Sequence, residues 1–215
     1  MSDDMSRMVY EVDYPNPYKA GVWRLTFMVR YGGKIFAGIQ DYDGREPNDL
    51  VTIECNGEGN DSRCPQDKLV VTGKRVTESG AALTLRWYAD QKGRLYWITL
   101  NHEGVVLRVT IDGQEWLTMP LPQEAGRPTD VMRVGDRLVL LAERGVFSTP
   151  AAKLVPDANE WMAIATVDGL LKKPKEKSPF TLDDYFCGAP IAAFDGALYV
   201  GGQRGGALYR VVEDK

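Results

Sequence analysis

Histidine and cysteine are scarce in this 215-residue chain, which has one His and three Cys. A single imidazole, His102, has to serve any Ser-His-Asp, Cys-His or multi-histidine metal mechanism, so most hydrolase templates fall at once. An excess of positive charge is also missing: 26 Lys and Arg stand against 30 Asp and Glu, for a net charge of −4. That balance supplies no footprint for neutralising phosphates and argues against nucleic acid as a partner. No apolar run reaches the length of a membrane-spanning helix, so no membrane span is expected. The opening segment, MSDDMSRMVYEV, lacks the apolar stretch and small-residue cleavage site of a signal peptide. With Met1 as the native start the expected location is the cytoplasm. A secreted or periplasmic chain already freed of its signal peptide has the same look.

Glycine, proline and aromatic residues are plentiful. The 22 Gly and 12 Pro disfavour helix interiors, while 5 Trp, 10 Tyr and 6 Phe suit pleated, half-buried surfaces. With 44% hydrophobic residues there is enough apolar material for a core. The composition therefore predicts many short strands.

Those strands recur as a unit. It reads YGGKIFAGIQDYDG at 31–44, QKGRLYWITLNHEG at 91–104, RVGDRLVLLAERG at 133–145 and AFDGALYVGGQRGG at 193–206. In each, a Gly or Asp turn leads into a short apolar strand that ends in a second turn, the sign of two consecutive hairpins. An apolar or alternating stretch precedes each unit (VWRLTFMV, ALTLRWY, TDVMRV, PIAAF) and another follows it (DLVTIE, VVLRVTI, VFST, ALYRVV). KLVVTG, EWLTMPL and EWMAIA supply a fourth strand to the first three copies. Four antiparallel strands per repeat is the blade pattern of a β-propeller.

The expected fold is thus all-β: one domain over 1–215, a small propeller of four four-stranded blades at 22–74, 82–121, 128–166 and 188–213. The last copy has only three strands, and RMVYEVDY at 7–14 belongs to no unit. Its alternation suits it to complete the final blade and close the ring, removing an open edge. A β-sandwich and a fragment of a larger propeller are the alternatives. Long loops lengthen the first and third units, the second of them an insertion at 166–189 carrying KKPKEK and a Thr181-x-x-Asp184 capping-box pattern.

The segments GKIFAGI, GRLYWITLNHEGVVLRV and GALYVGGQRGGALYRV resemble the G-x-LY-x-G blades of bacterial β-propeller repeat proteins. The resemblance covers most of residues 22–213 and implies a propeller fold. Such propellers serve as binding scaffolds, lectins and glycosidases, so no single activity comes with it. Neither an S-x-D-x-G-x-T-W box nor a GH-WD signature occurs, so neither sialidase-type nor WD-repeat blades are indicated.

Candidate sites follow from residue type. Asp41, Asp43 and Asp49 surround Gly44 as oxygen ligands of a Ca²⁺ loop do, though without EF-hand spacing; an Asp/Gly hairpin turn needs the same residues. Trp87 and Trp97, on neighbouring strands, form either a stacking platform for a sugar or peptide or packing between sheets. Lys172, Lys173 and Lys175 offer a basic loop to an acidic partner, or are simply solvated. Cys55 and Cys64 bracket the loop of one hairpin at a separation that suits a disulfide, with reduced thiols as the alternative; Cys187 is left over. Among the carboxylates near turns are Asp90, Asp130, Asp136, Asp183, Asp184 and Asp195, and nothing selects a catalytic pair from them. No cofactor other than Ca²⁺ is suggested. The expected function is a non-enzymatic binding module presenting loops on one face to a protein or peptide partner, or associating with itself. The alternative is a carbohydrate-binding or glycoside-cleaving propeller.

Overall fold

The computed structural model describes residues 23–41, 49–55, 69–74, 83–101, 104–167, 178–180, 189–203 and 206–212. The fold is all-β, with four antiparallel sheets whose strands follow chain order. The chain forms two compact units, Met1–Ala82 and Leu83–Lys215.

The first unit holds one sheet of β1 (Trp23–Tyr31), β2 (Lys34–Asp41), β3 (Asp49–Cys55) and β4 (Leu69–Lys74). Gly32 and Gly33 join β1 to β2 at φ 55 and 77. Positive φ at both central residues is what a two-residue hairpin needs to match the strand twist, and glycine adopts it most readily. Phe36 and Ala37 are neighbours on β2, so they face opposite sides of the sheet, and both are buried.

The second unit has three sheets: β5 (Leu83–Ala89) to β8 (Leu117–Met119), β9 (Pro128–Val134) to β12 (Met162–Thr166), and β13 (Ile191–Phe194) to β15 (Leu208–Arg210). Between them lie β6 (Leu95–Asn101), β7 (Gly104–Thr110), β10 (Arg137–Ala142), β11 (Gly145–Pro150) and β14 (Ala197–Gly201). The strand sequence RLVLLA of β10 is apolar without alternation because its sheet is covered on both faces. Leu138, Leu140 and Ala142 join Tyr96, Ile98, Leu107, Val109, Met119, Phe147 and Trp161 in one core. Val139 and Leu141 turn the other way, into a second core with Val146, Phe180, Ile191 and Val200. The first strands β5, β9 and β13 lie side by side, with β9 in the middle.

The insertion after β12 returns to this second core. Ser178 Oγ donates to the Glu143 carbonyl, Gln203 N donates to the Pro179 carbonyl at 2.8 Å, and the Phe180 ring meets Tyr209 edge-on at 5.8 Å. Residues 168–177, which carry Lys172, Lys173 and Lys175, and the expected capping box at 181–184 lie outside the described residues, as does the strand expected at 7–14.

Candidate partner-binding face

In the second unit neighbouring strands of each sheet are antiparallel, and the contacts of Asp90 with Arg133, Arg86 with Asp130 and Ile191 with Asp130 align β5, β9 and β13, so the turns after β5, β7, β9, β11 and β13 gather at one end. Side-chain hydrogen bonds fix the turns after β5, β7 and β11. Asp90 Oδ1 accepts from the backbone N–H groups of Lys92 and Arg94 at 2.9 and 3.0 Å, shaping the turn after β5. Arg94 then reaches the next sheet, donating from Nη1 to the Lys153 carbonyl at 3.0 Å and from Nη2 to the Ala152 carbonyl at 3.3 Å. After β7, Asp112 Oδ1 accepts from Thr110 Oγ1 at 2.9 Å and from the N–H groups of Gln114 and Glu115 at 2.8 and 3.0 Å. The two backbone donors hold the Asp112 carboxyl below the usual carboxylate range, followed by the Thr110 hydroxyl, so it stays ionised. In the segment after β11, Lys153 Nζ donates to Glu160 Oε1 at 2.6 Å, and Asp157 and Glu160 form a capping box.

Beneath the turns, charged side chains tie the first strands together. Arg133 on β9 pairs through Nη1 with the fully buried Asp90 carboxylate at 3.6 Å. Asp130, also on β9, accepts the Ile191 N–H of β13 at Oδ2, 2.9 Å away, and the same oxygen lies 3.8 Å from Arg86 Nε on β5. One carboxylate thus links three sheets. Burial is the main influence on it and raises its pKa above the ordinary 3.8, against the lowering effects of the Ile191 N–H and of Arg86.

Asp130 consequently binds its proton more tightly in the folded than in the unfolded chain. Its contribution to stability is complete below the unfolded value and is lost as pH rises through the higher folded value. We expect wild type to lose stability relative to Asp130→Asn as pH increases from about 4 into the neutral range, reckoned from the ordinary aspartate value. Denaturant midpoints of both proteins across that range check this; a constant difference contradicts it.

What the turns present outwards is partly apolar. Among the described residues of the second unit, the large exposed apolar side chains are Ile111 (63%), Leu117, Val134, Met162, Phe194 (73%), Leu208 and Val212. All but Leu208 sit at the turn-bearing end. Three of them, one per sheet, stand beside an exposed aspartate: Ile111 by Asp112, Val134 by Asp136, and Phe194 by Asp195. Asp195 has φ 47 and Gly196 has φ 72, a primed hairpin turn that projects its tip from the sheet.

The expected tryptophan pair is opposed across β5 and β6, Trp87 to Trp97. Their rings stack at 5.0 Å and 8°, and Trp116 meets both edge-on at 5.6 and 5.5 Å. Trp97 is only 3% exposed, and each stacked ring covers a face of the other. A ligand platform built on this pair has to open the stack first.

The other expected sites fall mainly outside the described residues. Asp41 ends β2 and Asp49 begins β3, opposite Ile39. Asp43 and His102 lie outside the described residues. No group of three or more His, Cys, Asp or Glu side chains placed to hold a metal occurs among the described residues. Cys55 is opposite Leu69 where β3 pairs with β4, while Cys64 lies outside the described residues. No protein-family model matches the chain, and no curated protein matches its sequence.

Proposed function

We propose that the four sheets are blades of one small β-propeller and that the protein is a non-enzymatic binding module. On this reading a protein or peptide partner is held at the turn-bearing end of the second unit. The observation that carries it is the gathering of exposed apolar side chains at one end of the three sheets, among turns several of which are held by side-chain hydrogen bonds. A monomeric surface scatters its exposed apolar groups, whereas grouped ones mark interaction sites. The propeller reading draws on the strand order within each sheet, the adjacency of β5, β9 and β13, and a middle sheet covered on both faces. A two-layer sandwich covers only one face of each sheet.

Ring closure is part of the same reading. Among the described residues the sheet β13–β15 has three strands where the others have four. A 520 Å³ cleft bordered by Val146, Ala165, Phe180, Val200 and Tyr209 lies beside β15. Residues 7–14, with Met8, Tyr10, Val12 and Tyr14 alternating, are the proposed fourth strand. The carbohydrate alternative draws less support, because Trp87 and Trp97 occupy each other's ring faces.

Affinity capture with wild type and with a variant carrying Ile111→Ser, Val134→Ser and Phe194→Ser tests the binding face. These side chains are exposed or at the edge of exposure, so the variant is expected to fold. Proteins retained by wild type should be lost from the variant; equal retention removes this end as the site.

A further inference from the structure

The structure carries a finding about the partner's chemistry that rests on reading the turn-bearing end as the binding face. In each of the three sheets of the second unit an exposed carboxylate follows an exposed apolar side chain by one or two residues: Asp112 after Ile111, Asp136 after Val134, and Asp195 after Phe194. The pairing recurs although the first pair lies after β7 and the other two after β9 and β13.

Most cations of this end are already engaged by groups of the same chain, several of them at the surface. Arg94 is spent on the Lys153 and Ala152 carbonyls, and Arg133 on the Gly135 carbonyl and the Asp90 carboxylate. Arg137 donates to Ser148 Oγ. Lys153 is held by Glu160 and Asp157. Lys92 and Arg210 stand exposed against the aspartates, together with Glu115 on the acidic side. The outward surface thus carries both apolar groups and carboxylates, and Asp112 is held ionised by its backbone donors.

We propose that this face takes a basic, apolar-anchored peptide or protein segment, its Lys or Arg side chains on the turn aspartates and its apolar side chains on Ile111, Val134 and Phe194. Opposite charges at the rim guide encounter and reject acidic competitors, while the apolar contacts hold the complex. Such rim charges are screened by salt, so affinity falls as ionic strength rises from about 0.05 to about 0.5 M.

The probe is a fluorescently labelled ten-residue peptide of alternating Lys and Phe, with its Glu-for-Lys counterpart, titrated into the whole protein and read by anisotropy. Two variants accompany wild type: a charge variant carrying Asp112→Asn, Asp136→Asn and Asp195→Asn, and the serine variant at Ile111, Val134 and Phe194. Asparagine keeps the acceptor oxygen that shapes the Asp112 turn and tolerates the positive φ at Asp195. The expected result is saturable, salt-sensitive binding of the Lys peptide, at least ten-fold weaker to both variants, with no binding of the Glu peptide. Loss in the serine variant but not in the charge variant overturns the basic chemistry and leaves the face intact. Equal binding to all three proteins overturns the face itself. Absence of saturable binding to wild type overturns the inference about basic segments, while the capture comparison still decides the face.

Discussion

Trp97→Ala should lower the stability of the second unit by about 3–5 kcal/mol, the range for truncating a large buried aromatic. At a few degrees per kcal/mol for a chain of this size, Tm should fall by roughly 6–20 °C. Trp97 is 3% exposed and central to a three-ring cluster, stacked on Trp87 and edge-on to Trp116. Removing it leaves a cavity on one face of β6 and strips both neighbours of their ring contacts, which adds to the burial lost. On the other face of the same strand, Tyr96 and Ile98 are fully buried, so β6 has little freedom to collapse into the space. Thermal unfolding followed by circular dichroism checks this. A folded variant with an unchanged Tm contradicts the packing role and returns Trp87 and Trp97 to candidacy as a ligand platform.

Gly145→Ala should be comparably severe for a different reason. Gly145 opens β11 at φ 153, and a Cβ placed there would stand 2.2 Å from the Ala165 carbonyl oxygen. That atom is backbone of β12, the strand with which β11 pairs, Gly145 lying opposite Thr166. A rotamer change cannot relieve the clash, so the β11–β12 ladder has to part or shift. The cost is expected at about 3 kcal/mol or more, at the upper end for single substitutions. Hydrogen exchange should show β12 opening first, since Val167 N also depends on this turn through the Arg144 carbonyl at 3.0 Å. Unchanged exchange in β12 and an unchanged Tm would falsify the close approach.

Strand positions were legible because alternation and Gly/Asp turns are local signals. The turn residues Gly33, Gly93 and Gly196 all adopt positive φ, as hairpin turns demand. The two Glu-Trp segments lie just before β8 and β12, and Trp161 enters the core while its Nε1 donates to the Pro120 carbonyl at 3.2 Å. The charged ties between sheets were much less legible. Asp90 and Asp130 stand out in the sequence only as two of several carboxylates near turns, since an aspartate that shapes a turn and one buried against arginine look alike. Nothing local in the sequence marks Arg86 and Arg133, which face carboxylates of neighbouring sheets. The apolar–aspartate pairs were written in the sequence as Ile-Asp, Val-Gly-Asp and Phe-Asp. They gain meaning only when the topology brings the turns after β7, β9 and β13 to one end.

The central claim is that this end holds the partner. Its most direct test is the affinity of a purified captured partner for three proteins: wild type, the Ile111→Ser, Val134→Ser, Phe194→Ser variant, and a protein with residues 170–186 replaced by a short Gly/Ser linker. The account predicts at least ten-fold weaker binding to the serine variant and unchanged binding to the linker protein. Full affinity in the serine variant, with binding lost when the lysine-bearing insertion is removed, would contradict it.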